Sequence, residues 1–175
     1  PEYDSDIRPS YKGGWTYADK RFTNKEIGSG IVLDVNSLYP YVLYSKLMPY
    51  GEPIFKEGEP VYNEEFPLFV CSMWCSFDIK PDHVPTIQLK GSSYFRPTEY
   101  LTTTKGEIVN LCLTNIDLKL LQEHYNIDNV TWCGAYYFKG QHGMFTDYID
   151  MYMDIKIKAE KENNKALRTL AKLII

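Results

Sequence analysis

Long apolar runs are missing from this chain: the longest, such as Leu68-Phe69-Val70-Cys71, fall far short of the roughly 20 residues a membrane-spanning helix needs. No charged-then-apolar leader opens it, so a soluble, cytoplasmic protein without a membrane partner is the expectation. Cysteine is scarce and wrongly spaced for metal. Cys71, Cys75, Cys112 and Cys133 form no CxxC pair and have no matching His pair, which leaves free buried thiols as their expected state. A surplus of positive charge is also missing: 19 Lys and Arg stand against 23 Asp and Glu, for a net charge of -4. That balance argues against a protein that binds DNA over its whole surface, so any nucleic-acid contact is expected to be local. The three histidines, His83, His124 and His142, fall in expected loops and at a helix end, pair with no Ser or Cys nucleophile, and receive no catalytic role.

What is present supports a real core. With 175 residues, 44% hydrophobic and 15% aromatic, the chain can hold one domain, or one module plus pieces of another. Its fifteen tyrosines suit half-buried strands and interfaces, and most read as packing residues. Residues 1–29 are polar and turn-rich, an irregular lead-in whose clearest feature is Tyr11-Lys12-Gly13-Gly14; paired glycines permit a backbone closed to other residues. Residues 31–35 read as a short buried strand. Asn36 or Ser37 can then cap a helix running to about Met48, with Pro40 tolerated in its first turn.

From Pro49 the texture changes, with Pro49, Gly51, Pro53, Gly58, Pro60 and Pro67 punctuating short segments. Strand-like runs follow at 68–79, 86–89, 108–113 and 130–138, and Thr114-Asn115-Ile116-Asp117 caps a helix over 118–125. Gly140 and Gly143 close this β-rich stretch. Beyond Met144, Phe145, Tyr148, Ile149, Tyr152 and Ile155 recur at helical steps, as do Leu167, Leu170, Ala171 and Ile174, predicting two helices broken near Asn163-Asn164. The second apolar stripe reaches the last residue with no stop signal, as a cut end would. The pattern predicts an α+β fold in three parts: 1–46, an inserted β-rich subdomain over 47–143, and helices over 144–175.

The residues able to do chemistry are few. Asp34 is expected where a strand ends, so its carboxylate can bind Mg²⁺ with the Val35 carbonyl as a second hard oxygen; the plainer reading is a helix cap. The backbone N–H groups of Ser37, Leu38 and Tyr39 at a helix start can cradle a triphosphate. Tyr39 could then stand beside a sugar and exclude a 2′-hydroxyl by contact, or simply pack in a core. Lys161, Lys165, Arg168 and Lys172 fall on one face of any continuous helix, either as a solvated charged face or as phosphate ligands. Asp147 and Asp150, three apart on an expected helix, read as exposed helix residues instead of a metal-binding pair.

These residues resemble those of the protein-primed family B DNA polymerases of bacteriophages with linear genomes, and the resemblance runs nearly end to end. Asp34-Val35-Asn36-Ser37-Leu38-Tyr39-Pro40 looks like the first palm motif, and Tyr11-Lys12-Gly13-Gly14 like the Tyr-x-Gly-Gly segment between the exonuclease and polymerase domains. Met48-Pro49-Tyr50-Gly51-Glu52-Pro53 and Pro85-Thr86-Ile87-Gln88 resemble the insertion that contacts terminal protein and DNA. The resemblance implies Asp34 and Val35 as metal ligands, with Asp34 catalytic, and Ser37, Leu38, Tyr39 and Lys172 at the nucleotide. It implies Tyr11, Gly13, Gly14, Lys156 and Arg168 as DNA or phosphate ligands. Lys172 would open the fingers motif Lys-x-x-x-Asn-Ser-x-Tyr-Gly, whose Asn lies past Ile175. The implied cofactor is Mg²⁺, two ions in a complete enzyme; the implied partners are primer-template DNA, deoxynucleoside triphosphates and terminal protein, in a bacterial host cell. A second carboxylate strand, needed for two metals, does not follow before Ile175, so the chain alone is expected to be inactive. The alternative is a free-standing, non-catalytic module that binds terminal protein and DNA.

Overall fold

The computed structural model describes residues 3–90 and 94–174. Its architecture is α+β, built as two compact units: Pro1–Lys25 with Gly51–Lys139, and Glu26–Tyr50 with Gly140–Ile175.

The first unit is organised by a four-stranded sheet in the order β1-β4-β2-β3, with β1 at Met48–Lys56, β2 at Leu68–Ile79, β3 at Val109–Thr114 and β4 at Tyr125–Gln141. Two of the three unit boundaries fall within β1 and β4. The strand β2 obeys period two: Cys71, Met73, Cys75 and Phe77 are buried on one face, joined there by Leu111 and Leu113 of β3. Helix α3 (Asn115–His124) packs on β2 and β3 and contributes Leu118 and Leu121 to this core. Its capping residues are those the sequence signals, although the helix itself begins at Asn115 and not at 118. The Thr114 hydroxyl accepts from Asp117 N–H at 3.2 Å while the Asp117 carboxylate accepts from Thr114 N–H at 3.2 Å.

Strand β4 is much longer than the 130–138 expected, because it bends. Against β2 the register runs from Leu68↔Phe138 to Ile79↔Tyr125 and slips between Ser72 and Met73 and again between Trp74 and Ser76. Each slip leaves one extra residue on β4, a β-bulge that increases local twist. At the first, Gly134 adopts φ 139; a Cβ there would meet Phe55 Cζ at 2.6 Å and the Lys56 carbonyl oxygen at 2.7 Å. Only glycine lets β1 approach so closely.

Strand β1 was not legible as a strand because Pro49, Gly51 and Pro53 interrupt it. It sits at the sheet edge, where a missing N–H is tolerated. The reverse error occurs at 86–89, which has strand composition but is a loop: Thr86 and Ile87 donate their N–H groups to the Tyr125 hydroxyl at 2.7 and 3.2 Å. That hydroxyl donates in turn to the Leu101 carbonyl at 3.0 Å, and the Tyr125 ring packs edge-on against Phe77. Ile87 and Leu89 thereby enter the core without a ladder.

The lead-in is less irregular than its composition implies. A short helix α1 (Asp4–Ile7) and two 3-10 turns, Arg8–Ser10 and Lys20–Phe22, lie along the first unit. The Tyr136 hydroxyl donates to Asp6 at 2.6 Å, Trp15 Nε1 donates to the Pro85 carbonyl at 3.1 Å, and the Trp15 ring meets Tyr100 edge-on.

In the second unit, α2 (Leu38–Ser45) packs on α4 (Thr146–Lys161), and α4 on α5 (Lys165–Ile174). The α4–α5 break falls where expected: Asn163 takes φ 56, and the Asn164 side chain caps α5 by accepting from Leu167 N–H at 3.1 Å. Residues 31–35 are a correction. They form no strand, and Ile31, Val32 and Leu33 are 86%, 99% and 87% exposed. The composition is that of a buried strand, but among the described residues no neighbour pairs with it, and a strand alone cannot satisfy its backbone. Among the described residues no helix is long and apolar enough to cross a membrane.

Candidate functional site

Asp34 and Val35 lie in irregular chain, Asn36 and Ser37 form a turn, and Leu38, Tyr39 and Pro40 are the first residues of α2. Ser37 takes the left-handed conformation, φ 54 and ψ 44, and its side chain makes no capping bond, so the expected Ser37 cap is absent. A left-handed non-glycine residue costs about 1–2 kcal/mol. Strain of this kind recurs at functional turns. The first intrahelical bond runs from Tyr41 N–H to the Ser37 carbonyl at 2.9 Å, so the N–H groups of Leu38 and Tyr39 precede it, and Pro40 has none. The helix ends at Ser45, short of the Met48 expected, because the chain becomes extended at Lys46 and enters β1. Asp34, Val35, Ser37, Leu38 and Tyr39 are all exposed, Tyr39 at 72%.

The structure gathers Asp34, Val35, Ser37, Leu38 and Tyr39 into one compact unit with Lys156, Arg168 and Lys172. Lys156 is half-buried on α4. Arg168 is half-buried on α5, its Nε 3.5 Å from a Glu160 carboxylate oxygen without forming a hydrogen bond. Lys172 lies one turn further on and is exposed. Lys161 ends α4 while Lys165 begins α5, so the four basic residues do not form one stripe: the helix break removes Lys161 from it. Asp147 and Asp150 are exposed on α4, as expected.

Tyr11, Gly13 and Gly14 belong to the other unit. Tyr11 is exposed, with the Lys90 ammonium 5.3 Å from its ring centroid. Neither Gly13 nor Gly14 has a positive φ, contrary to the expectation of a glycine-only backbone, and a Cβ at Gly13 would meet nothing within 4 Å. What the missing side chain leaves at Gly13 is open surface. Between them and Tyr11, Lys12 turns inward: its ammonium lies 3.8 Å from the Asp117 carboxylate, and burial lowers its pKa against the opposing pull of Asp117. No sequence signal marks that pair. His83 and His124, far apart in sequence, meet Nδ1 to Nδ1 at 3.2 Å.

Among the described residues no cluster of three His, Cys, Asp or Glu surrounds Asp34 or any other point. Comparison with known proteins decides the family. A profile described as DNA polymerase type B, organellar and viral, matches residues 1–175. The chain belongs to that family. It is 45% identical to the DNA polymerase of Bacillus phage phi29 over 172 residues, covering 98% of this chain and 29% of the relative. The DNA polymerase of Bacillus phage Nf is 41% identical over 172 residues, and that of Streptococcus phage Cp-1 is 30% identical over 149, or 82% of this chain and 26% of the relative. The solved phi29 DNA polymerase complexed with primer-template DNA and incoming nucleotide substrates matches with a TM-score of 0.91 at 44% identity, over 99% of this chain and 30% of that one. This family B polymerase chain thus spans less than a third of the length of these relatives.

Proposed function

We propose that the chain supplies the first metal-binding turn of a palm, an inserted subdomain and the start of the fingers to a protein-primed DNA-directed DNA polymerase, and that it is inactive alone. The observation that carries this is the Asp34-to-Pro40 motif at the start of α2, in the unit that also holds Lys156, Arg168 and Lys172. The exposed run at Ile31, Val32 and Leu33 supports it too: an apolar strand sequence with no partner strand among the described residues fits a sheet completed by the rest of a larger enzyme.

Asp34 and Val35 offer a carboxylate and a carbonyl, hard oxygens suited to Mg²⁺, and with no cluster of three His, Cys, Asp or Glu around them among the described residues they fit one side of a two-ion site. When bound, the two ions would activate the attacking hydroxyl and stabilise the leaving pyrophosphate. The N–H groups at the start of α2 would hold the triphosphate, and Lys172 would neutralise its phosphates. Tyr39 would exclude a 2′-hydroxyl. Tyr11, Gly13, Gly14, Lys156 and Arg168 would track DNA, Gly13 by leaving room for a backbone to approach. The domain plan is 1–46 as linker and first palm segment, 47–143 as an insert contacting terminal protein and DNA, and 144–175 leading into the fingers, in the cytoplasm of a bacterial host.

A second reading, a non-catalytic module binding terminal protein and DNA, is supported by the separate core of the β-rich unit. Template-dependent incorporation separates the two. The isolated chain should extend no primer, while a complete polymerase carrying these residues should; extension by the purified chain would overturn the proposal. An inert complete protein would favour the second reading. Tyr39→Val in the complete polymerase should relax discrimination against ribonucleotides by about 10²-fold, read as the ratio of kcat/KM for the two sugars. An unchanged ratio would remove Tyr39 from the sugar pocket.

A further inference from the structure

We propose that His83 and His124 chelate one late first-row divalent cation, of the Zn²⁺ or Ni²⁺ class, clasping the turn after β2 to the C-terminal end of α3. Two imidazole nitrogens bound at about 2.0–2.1 Å to one tetrahedral ion lie roughly 3.3–3.4 Å apart. The two Nδ1 atoms stand 3.2 Å apart, with the rings at 87° and their centroids 5.0 Å from each other. The nitrogen separation matches that bite. Without a cation the same separation holds a hydrogen bond in which one ring nitrogen donates and the other accepts.

The backbone explains why the pair is held. His83 N–H donates to the Lys80 carbonyl at 3.3 Å, Lys80 N–H donates to the His124 carbonyl at 2.9 Å, and the Lys80 ammonium donates to the carbonyls of Gln122 and Glu123 at 2.8 and 2.9 Å. Lys80 therefore fastens the turn bearing His83 to the helix end bearing His124, and little ordering remains to be done on binding. The carbonyl end of α3 favours positive charge, while the Lys80 ammonium on the same carbonyls opposes a second cation and keeps affinity modest. His83 lines an open cavity of about 810 Å³ together with Asp82 and Thr103, which leaves room for water. No third His, Cys, Asp or Glu joins the pair among the described residues, so water completes the coordination and the cation exchanges readily. Imidazole ligands select this class over Mg²⁺.

The test is calorimetric titration of the tag-free 175-residue chain with zinc chloride, with cobalt absorption as a second readout and thermal melting as a third. One cation per chain is expected, raising Tm. His83→Gln and His124→Gln should each weaken binding at least tenfold, and Cys133→Ser should leave it unchanged. Because His83 is exposed, His83→Gln should fold and carries the test if the other variant does not. Binding weaker than about 1 mM in the wild-type chain, or equal affinity in His83→Gln, overturns the site.

Discussion

Lys12 is a buried ammonium that makes no hydrogen bond, with the Asp117 carboxylate 3.8 Å away. Burial lowers its pKa from 10.5, so between the lowered value and 10.5 the unfolded chain binds more protons than the folded one, and this residue makes stability rise with pH there. Lys12→Met should flatten that rise, measured as urea midpoints across the alkaline range against wild type; parallel curves would show that Lys12 is hydrated. The cysteines divide by burial in a similar way. Cys71 is pushed up to about 12 and Cys75 to about 11 because burial disfavours their thiolates, whereas Cys133 is exposed. Iodoacetamide near neutral pH should therefore label Cys133 and spare Cys71 and Cys75 until the chain unfolds, as peptide mapping would show. Equal labelling of the native protein would contradict the core assignment.

At the scale of elements, local chemistry was legible and pairing was not. The Thr114–Asp117 capping box could be read directly, since its bonds span three residues; Thr114→Ala should cost about 1 kcal/mol in chemical denaturation. The α4–α5 break was legible for the same reason, through Asn163 and Asn164. Strand β1 was hidden because its proline tolerance comes from edge placement, which only the sheet order reveals. Residues 31–35 and 86–89 failed the other way: β-rich composition does not supply a neighbouring strand. The Gly134 bulge belongs here as well. Gly134→Ala should destabilise by about 1–3 kcal/mol, because the Lys56 carbonyl lies on the backbone and cannot swing aside; a neutral effect would mean that β1 does not pack as described.

At the scale of the molecule, the metal and nucleotide candidates from Asp34 to Tyr39 share a unit with Lys156, Arg168 and Lys172, while the Tyr11-to-Gly14 segment travels with the β-rich unit. The sequence motifs named these residues because short motifs carry their own spacing. The grouping was not legible, since it depends on which helices pack, and neither was the inward turn of Lys12 or the meeting of His83 with His124. The central claim is that Asp34 is a metal ligand of a polymerase, and the most direct measurement is single-turnover nucleotide incorporation by the complete enzyme carrying Asp34→Asn, with Asp147→Asn as control. Asp34→Asn should lose about 10³-fold or more, roughly 4 kcal/mol of transition-state stabilisation, in both initiation and elongation, while the exposed Asp147 should tolerate the change. A rate for Asp34→Asn within a few-fold of wild type would contradict the claim.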